Sequence, residues 1–366
     1  MKRSKIKLEE ITDVENCKRA ILHASKRKRR RSNVRHILEH IDEYAEKLRA
    51  FLMDEKAEFS EGIYEIINEG TNKKRRELCK PIFFPDQCAH WAIMQIVFPV
   101  LEKSFDRYTC ASIKGRGTHY AKRAVERFLK DTKNTKYCLQ IDVKSFYASI
   151  DKGILTELLR RKIKDPRIVG LLAKVITAYK NDGLPLGWYT SAPLANFYLT
   201  GLDRYIKHNL RVKYMVRYMD DVVMYGSNKR HLHRARVKIA EYIERRRRCR
   251  LKANWQVYRT PYDNGKGKIT TQRATDFVGF KFYRYKTTIR KSIFLRLTRL
   301  MRRLWKGYNI HRAYAFMSYR GYVMSTDSAN VSAKYIDGKI SVKTVKEIIR
   351  NESRKQIASY GKASIA

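Results

Sequence analysis

The stretch KYMVRYMDDVVMY, residues 213–225, is the most informative part of this chain. The residues on either side of Asp220 and Asp221 are largely β-branched, aromatic or aliphatic, which favours strands. Two acids between two such runs predict a β-hairpin with the acids in its turn. An Asp-Asp turn is common for structural reasons alone, because an Asp side chain can hydrogen-bond the turn backbone. A second acidic group is needed before the hairpin indicates chemistry.

That second group ends an earlier strand, LQIDV (residues 139–143), in which Asp142 follows an apolar run. In-line nucleotidyl transfer uses two Mg²⁺ ions roughly 3.5–4 Å apart, which stabilise the attacking and leaving oxygens. Mg²⁺ prefers hard oxygen ligands, so carboxylates from two neighbouring strands are a suitable cage. We therefore predict Asp142, Asp220 and Asp221 as catalytic residues. The predicted metal site, for two Mg²⁺ ions with Mn²⁺ as a substitute, consists of Asp142, Val143, Asp220 and Asp221.

The net charge of the chain indicates its class of partner. Its 366 residues include 80 Lys and Arg against 36 Asp and Glu, a net charge of +44. Such a surface attracts polyanions and releases their counterions on binding, so nucleic acid is the expected partner. A hydrophobic fraction of 43% argues against a disordered chain. Composition alone also fits a ribosomal or packaging protein or a membrane-surface binder.

The cysteines and the N-terminus predict the cellular compartment. The six cysteines are scattered without a Cys-x-x-Cys pair or zinc-ligand spacing, and are expected to be reduced structural thiols. The N-terminus lacks the apolar run of a signal peptide, and no stretch approaches the ~20 apolar residues of a membrane span. A soluble, cytoplasmic protein with no membrane partner is expected.

Periodicity predicts a mixed α/β (α+β) architecture. Residues 8–60 and 153–180 have helical patterns, and a turn is expected at Asp263-Asn264-Gly265. No internal repeat or Pro/Gly/Ser linker is present, so the subdomains are expected to be interleaved. One helix is expected to bury a stripe of residues four apart. The stripe consists of Leu194, Tyr198, Leu202 and Ile206.

Four segments resemble the motifs of reverse transcriptases, in that family's order, over roughly residues 60–340. YMDD (218–221) resembles the Y-x-D-D signature, and QIDVKSFY (140–147) resembles the first catalytic motif. GLPLGWYTS (183–191) resembles the loop under the incoming base, and FVGF (277–280) the primer-grip hairpin. The resemblance implies an RNA-directed DNA polymerase with a right-hand fold. The implied parts are a basic helical extension (1–59), fingers and palm (60–285), and a helical thumb with a basic tail (286–366).

The same resemblance implies a dNTP site. Tyr147 matches a steric gate whose ring clashes with a 2′-hydroxyl group; a plain core aromatic is the alternative. Arg75 and Arg76 match the fingers strand that grips the triphosphate, because the Arg fork binds phosphate oxygens bidentately. Arg76 is the better placed, and a solvated charge run is the alternative. Lys252 stands where the family places a lysine near the leaving pyrophosphate. The full predicted set is Arg75, Arg76, Phe146, Tyr147, Leu186, Gly187 and Lys252.

Basic and glycine-containing segments are predicted to contact nucleic acid. In KGRGTH (114–119) the glycines let the backbone approach a phosphate, and the segment lacks Walker spacing. His119 is expected to be structural or RNA-contacting rather than a catalytic base. A basic thumb helix is expected to face the duplex. The predicted set is Lys114, Arg116, Thr118, His119, Tyr218, Met219, Phe277, Gly279, Arg290, Lys291 and Arg296.

The subfamily is predicted from finer resemblances. No nuclease or zinc signature is present, which speaks against retroviral and intron-mobility architectures. Segments 112–119, 251–257 and 277–291 resemble the reverse transcriptases of diversity-generating retroelements. Leu186 stands where many accurate relatives carry Gln, and losing that hydrogen bond weakens the rejection of mispairs opposite template adenine. Ser191-Ala192-Pro193 departs from their Ser-Gln, so an anti-phage defence enzyme acting on its own non-coding RNA is the alternative.

Two other classes were weighed. A non-catalytic, maturase-like RNA-binding protein would not be expected to keep all three carboxylates. An RNA-dependent RNA polymerase would be expected to carry a small or polar residue in place of Tyr147. The expected partners are an RNA template, the RNA/DNA duplex and dNTPs. The remaining surface charge suggests, in addition, a structured RNA or a small accessory protein.

Overall fold

The computed structural model describes residues 3–69, 74–262 and 273–362. The turn predicted at Asp263-Asn264-Gly265 lies outside these ranges. The chain forms two compact units, each assembled from several chain segments. Unit 1 comprises the described residues of Met1–Gly117, Leu139–Met224 and Lys229–Val257. Unit 2 comprises those of Thr118–Cys138, Tyr225–Asn228 and Tyr258–Ala366.

The described residues alternate helices and short strands, as expected for a mixed fold. The strands are β1 (Ile63–Glu69), β2 (Lys74–Lys80), β3 (Thr109–Cys110), β4 (Tyr137–Asp142), β5 (Tyr214–Tyr218), β6 (Asp221–Gly226), β7 (Gln256–Arg259), β8 (Thr275–Phe277), β9 (Phe280–Phe282) and β10 (Thr287–Ile289). The α-helices are α1 (Leu8–Ile11), α2 (Val14–Ser25), α3 (Ser32–Glu39), α4 (Ile41–Met53), α5 (Cys88–Glu102), α6 (Thr118–Leu129), α7 (Phe146–Ser149), α8 (Lys152–Lys162), α9 (Pro166–Ala178), α10 (Ser191–Tyr198), α11 (Thr200–Arg204), α12 (Lys229–Arg247), α13 (Lys291–Lys306), α14 (Ile310–Met324), α15 (Ala329–Tyr335) and α16 (Val342–Lys362).

Several helices begin at an aspartate that caps them. The carboxylates of Asp13 and Asp151 accept hydrogen bonds from the backbone N–H groups of Asn16 and Ile154, at the starts of α2 and α8. Asp165 caps α9, whose first residue is a proline. These caps satisfy N–H groups that the first helical turn leaves without a partner. The predicted helical regions are confirmed, although the first one ends at Met53.

A five-stranded sheet carries the hairpin, in the strand order β3-β5-β6-β4-β7. β3 pairs in parallel with β5, with Thr109 opposite Arg217. The strands β5 and β6 are buried along their middles. The sheet therefore makes neighbours of β4, which ends in Asp142, and β6, which begins at Asp221.

The predicted buried stripe is confirmed, but its helix is interrupted. It divides into α10, α11 and a π-helical turn, Tyr205–Asn209. All four stripe residues remain buried, because the interruptions keep the same face inward. The stripe thus gives unit 1 part of its core.

Two further sheets are small. In unit 1, β1 and β2 form an antiparallel hairpin in which Ile67 lies opposite Arg76. In unit 2, β8, β9 and β10 form an antiparallel sheet. The helices that follow in unit 2 pack around buried Leu297, Met301 and Phe316. Among the described residues, no helix is long and apolar enough to cross a membrane.

Candidate active site

The hairpin between β5 and β6 is present, with a two-residue turn at Met219-Asp220. Of the two acids predicted to lie in the turn, only Asp220 does, while Asp221 begins β6. Met219 has a φ of +55°, a left-handed conformation that suits the primed turns of β-hairpins. Residues other than glycine rarely adopt this backbone conformation, so contacts with the surrounding protein must stabilise the turn. The Nη1 group of Arg217 provides such a contact by donating a hydrogen bond to the carbonyl oxygen of Met219, at 2.9 Å.

Arg217 belongs to a fully buried polar network under the turn. Its Nε and Nη2 groups each donate to a different carboxylate oxygen of Asp203, both at 2.7 Å. Its Nη1 group also donates to the side-chain oxygen of Asn196, at 3.0 Å. Thr109 donates to the same carboxylate at 3.0 Å. The network anchors the turn to α10, α11 and β3. The sequence motifs did not predict this network, although a lone arginine inside the apolar strand β5 is a usable signal.

Asp142 and Asp220 lie together at the neighbouring ends of β4 and of the hairpin. Burial and the adjacent Asp142 carboxylate, which is within hydrogen-bonding reach, raise the pKa of Asp220 to about 6. The Oδ1 atom of Asp142 is buried and has no hydrogen-bond partner among the described residues. Two crowded carboxylates with an unsatisfied oxygen are favourable for a divalent cation, which would relieve their repulsion.

Lys252 is the cation nearest to this pair. A bridge between Val143 and Leu251 brings the two segments side by side. The backbone N–H of Lys252 then donates to the Asp142 carbonyl oxygen, at 2.8 Å. The Lys252 ammonium group forms an ion pair with the Asp142 carboxylate. The structure thus places Lys252 beside Asp142, a predicted catalytic residue, and the predicted role of Lys252 at the pyrophosphate does not include this contact.

The three predicted carboxylates are only partly assembled. Among the described residues, no three His, Cys, Asp or Glu side chains are grouped closely enough to hold a metal ion. Asp142 and Asp220 are the two that are brought together, while Asp221 begins β6. The Val143 side chain has no metal-binding atom, so only its backbone carbonyl oxygen could serve as a ligand. The donor set that fits a hard divalent cation is therefore the Asp142–Asp220 pair, with Asp221 adjacent in sequence.

Tyr147 stands next to these acids. Burial, and to a lesser extent the charge of Asp220, raise its pKa to about 12, so it remains a neutral phenol. Its backbone carbonyl oxygen accepts from the N–H of Leu184, at 2.8 Å. A Cβ atom on Gly183 would lie 2.0 Å from the same oxygen, so this close approach requires glycine. Phe146, by contrast, is buried in the core. Its predicted direct contact with dNTP is therefore not available to its side chain.

The loop at Leu186-Gly187 is joined to the β1–β2 hairpin. The N–H of Cys79 in β2 donates to the carbonyl oxygen of Leu186, at 2.8 Å. A Cβ atom on Gly187 would lie 2.5 Å from the Cys79 carbonyl oxygen, and the φ of Gly187 is +113°. On β2, Arg75 is exposed and Arg76 is partly buried. The strand with the two predicted phosphate-binding arginines is thus fixed in register with residue 186.

The predicted template-binding segment is divided between the two units. Lys114 is exposed in unit 1. The Arg116 guanidinium donates to the Asp106 carbonyl oxygen, at 3.1 Å, so it is partly committed to its own chain. Thr118 begins α6 in unit 2, and exposed His119 has its ring 6.1 Å from that of Phe280. Contact with nucleic acid through these residues stays a prediction.

The predicted primer-grip residues form a hairpin within unit 2. Phe277 and Phe280 pair across a turn at Val278-Gly279. Phe277 is fully buried, so its side chain cannot contact nucleic acid directly. Arg290 forms an ion pair with Asp276 at 2.5 Å. Of the other predicted thumb contacts, Lys291 is exposed and Arg296 partly buried.

The family model described as "Reverse transcriptase (RNA-dependent DNA polymerase)" matches residues 86–282. The chain belongs to the reverse transcriptase family. The matched region contains all three predicted carboxylates and Tyr147. The predicted fold class, a mixed α/β right-hand polymerase, is confirmed. Reverse transcriptase domains use divalent metal ions, in keeping with the crowded carboxylate pair.

The chain is also similar to three curated proteins. The protein YkfC of Escherichia coli is 27% identical over 37% of this chain and 38% of its own length. An uncharacterized 91 kDa protein in the cob intron of Schizosaccharomyces pombe is 30% identical over 51% of this chain and 24% of its own. The group II intron-encoded protein LtrA of Lactococcus lactis is 28% identical over 38% of this chain and 24% of its own. The matches thus span about a quarter to two fifths of these relatives.

Among solved structures, the chain is similar to telomerase from Candida albicans in complex with a fragment of telomeric RNA. The identity is 11%, over 85% of this chain and 62% of the other, and the TM-score is 0.48. Apo telomerase from Candida tropicalis has 14% identity over 84% of this chain and 60% of the other, with a TM-score of 0.46. One relative above is described as group II intron-encoded, and the match covers 24% of its length. The expectation that this chain lacks an intron-mobility architecture stays a prediction.

Proposed function

We propose that this chain is an RNA-directed DNA polymerase whose catalytic residues are Asp142, Asp220 and Asp221. One observation carries the proposal: the Asp142 and Asp220 carboxylates meet at the ends of neighbouring strands, with a buried oxygen atom of Asp142 left without a partner. Carboxylates crowded in this way gain from a divalent cation that neutralises them. The family match over the same residues supports this assignment.

We further propose that the site takes two Mg²⁺ ions, which Mn²⁺ can replace. Bound there, the ions would stabilise the attacking and leaving oxygens of an in-line displacement. Asp142 and Asp220 would hold them, together with Asp221. Lys252, paired with Asp142, limits the net negative charge of the site before substrate binds. Arg76 is proposed to grip the triphosphate of the incoming dNTP.

Primer extension on a defined RNA template, with Mg²⁺ and either dNTPs or rNTPs, tests this function. We expect a DNA product that an Asp220→Asn/Asp221→Asn variant does not make. The Asp42→Asn/Glu43→Gln variant is a control, because it also removes two adjacent carboxylates but lies in α4, outside the proposed site. RNA product from rNTPs would contradict the proposal, as would equal DNA synthesis by the Asp220→Asn/Asp221→Asn variant.

The biological role that we propose is error-prone copying in a diversity-generating retroelement. Leu186 supports it: its backbone is fixed against β2, so an aliphatic side chain occupies the position where a hydrogen-bonding Gln would act on base-pair geometry. The alternative is a defence enzyme that copies its own non-coding RNA, which the Ser191-Ala192-Pro193 segment favours. A structured RNA or a small accessory protein is the proposed additional partner.

Sequencing the RNA that copurifies with the chain from its host separates these two roles. Complementary DNA with changes confined to adenine positions of a nearby repeat would support the retroelement. A short non-coding RNA transcribed beside the gene, copied without such changes, would support defence. In both cases the polymerase assignment stands, because it is tested by the extension assay.

A further inference from the structure

Unit 2 contains two adjoining cavities that none of the predicted functional residues lines. One, of about 480 Å³, lies between α6 and the segment around β10. The other, of about 290 Å³, is lined by residues near β7 and by the segment before β4. Arg284 and Tyr285 line both, so the cavities adjoin at these residues and are described together as one depression. We call it the Tyr285 groove, and its main lining residues are Arg123, Arg127, Lys130, Lys136, Tyr285 and Lys286.

The floor of the groove is rigid because of Arg284, whose side chain is buried. Its Nε group donates to the Pro261 carbonyl oxygen, at 2.8 Å. The Nη1 group donates to the Leu129 carbonyl oxygen at 2.7 Å and to the hydroxyl of Thr135 at 3.2 Å. The Nη2 group donates to the Thr135 carbonyl oxygen at 3.1 Å and to the Thr260 hydroxyl at 2.8 Å. Arg284 thus joins three chain segments and holds Tyr285, the next residue, in place.

The walls of the groove carry positive charge without compensation. Arg123, Arg127 and Lys130 are spaced i, i+4 and i+7, so they lie along one face of α6 and its C-terminal end, and all three are exposed. None of them forms an ion pair with a described residue, and neither does exposed Lys286. The surplus charge is available to a polyanion.

The two acids that line the groove do not neutralise these cations. Glu126 accepts hydrogen bonds from the Lys122 ammonium group and the Thr287 hydroxyl, both at 2.6 Å. Asp327 accepts from the backbone N–H of Thr287, at 2.7 Å. Both carboxylates therefore have structural partners around β10, and the net charge of the residues that line the groove remains positive.

Tyr285 gives the groove a second recognition element. Its side chain is 61% exposed, in a groove with basic residues on both sides. An exposed aromatic ring between cations is the arrangement by which proteins hold single strands, because bases stack on the ring while the cations contact phosphates. A double helix keeps its bases stacked inside and offers only its backbone.

We propose that the Tyr285 groove binds a single strand of nucleic acid, with a base stacked on Tyr285 and phosphates along Arg123, Arg127 and Lys130. An unpaired RNA segment and the single-stranded cDNA product share this chemistry. The groove makes no use of the catalytic carboxylates, so the inference is independent of the proposed polymerase activity.

Binding of fluorescent 12-nucleotide single-stranded RNA and DNA to the full chain tests the proposal. EDTA and a saturating unlabelled template–primer are present, so that the polymerase site is occupied without turnover. Arg123→Gln/Arg127→Gln is expected to weaken binding and to reduce the slope of log K against log salt by about 1.4 for the two phosphate contacts. Arg234→Gln/Lys238→Gln, an exposed pair with the same spacing on α12, is the matched control.

Tyr285→Ala tests the stacking contact. Loss of stacking is expected to weaken binding about 5- to 150-fold, whereas Tyr285→Phe keeps the affinity. Tyr314→Ala, at another exposed tyrosine of unit 2, is the control for nonspecific loss. Preference for RNA or for DNA identifies which single strand is the ligand.

Equal affinities and salt slopes in the groove and control variants would overturn the proposal. So would a 12-base-pair duplex that competes as well as a single strand. Primer extension on a short template–primer is expected to stay at the wild-type rate in every groove variant. Loss of strand binding with extension intact therefore separates this site from the polymerase site.

Discussion

Arg217 and Asp203 form a two-point ion pair that is fully buried, with both N–O distances at 2.7 Å. The third arm of the guanidinium holds the carbonyl oxygen of Met219. One arginine therefore joins the protein core to the turn that carries Asp220. The arrangement predicts that Arg217 is a positioning residue, which acts on Asp220 through the neighbouring Met219 carbonyl.

Arg217→Met is expected to lower the free energy of unfolding by about 3–5 kcal/mol, because it leaves the Asp203 carboxylate buried and unpaired. Urea denaturation measures the change. Adding Asp203→Asn should recover part of the loss, and exposed Arg230→Met should stay within about 0.5 kcal/mol of wild type. Under conditions where the variant is folded, kcat should fall more than KM changes. Unchanged kcat would leave Arg217 with a structural role alone.

Tyr147→Ala is expected to reduce the preference for dNTPs over rNTPs by about 10- to 100-fold, because removing the ring opens space for a 2′-hydroxyl group. Tyr147→Phe keeps the ring and should keep the preference. Single-nucleotide incorporation with each substrate gives the ratio of kcat/KM values. An unchanged ratio in Tyr147→Ala would show that another residue is the gate.

Gly183→Ala is expected to displace the backbone of Tyr147, the predicted steric gate. Its Cβ atom would lie 2.0 Å from the Tyr147 carbonyl oxygen, and its φ of +74° is unfavourable for alanine. Local strain of about 1–3 kcal/mol should appear as lost stability and weaker dNTP selection. Gly170→Ala is the matched control, since it lies in α9 with nothing within 4 Å of its Cβ atom. That variant should gain about 0.5–1 kcal/mol. Equal free energies of unfolding for Gly183→Ala and Gly170→Ala would contradict this explanation.

Leu186→Gln is expected to lower misincorporation opposite template adenine relative to the other three bases. The backbone at residue 186 is held by Cys79, so the new amide would replace the leucine side chain without moving the loop. Sequencing of extension products from a template with all four bases measures the error spectrum. Leu186→Met is the control for a change of shape without hydrogen bonding. An unchanged spectrum in Leu186→Gln would contradict the retroelement proposal.

His90 is expected to make stability depend on pH. It is fully buried, neither ring nitrogen has a partner among the described residues, and burial lowers its pKa to about 3. Between that value and its usual pKa of about 6.5, the unfolded chain binds a proton that the folded chain does not. The free energy of unfolding therefore decreases as pH falls through this range, by about 1.4 kcal/mol per pH unit for His90.

The comparison of urea denaturation for wild type and His90→Leu between pH 6 and pH 4.5 isolates this effect. The difference between their slopes should approach the value for one proton. Carboxylates whose pKa is raised by burial, such as Asp86, contribute to both proteins and cancel. Parallel slopes would show that the His90 side chain is protonated in the folded chain.

The sequence was sufficient where local pattern determines structure. The hairpin around Asp220 and the strand ending in Asp142 follow from alternating apolar runs and turn chemistry. The network of Arg217 was not predicted, because its partners are set by the packing of α10 and α11 against the sheet. The ion pair of Lys252 with Asp142 likewise depends on a bridge between distant segments. The burial of Phe146 and Phe277 could not be predicted from the motifs, because an aromatic residue in such a motif can either pack in the core or contact a ligand.

The short strand β3 limits where homologous chains can gain or lose residues near the active-site turn. Cys110 pairs with Tyr218, and the next carbonyl oxygen, that of Ala111, accepts a hydrogen bond from Asn196 at 2.9 Å. The segment before Lys114 therefore starts at a fixed distance from the Met219-Asp220 turn. An added residue between Lys114 and Gly115, which are both exposed, would lengthen the turn there. An added residue at 108–111 would shift the register of β3 against β5, so homologous chains are expected to vary in length at the first place and not at the second.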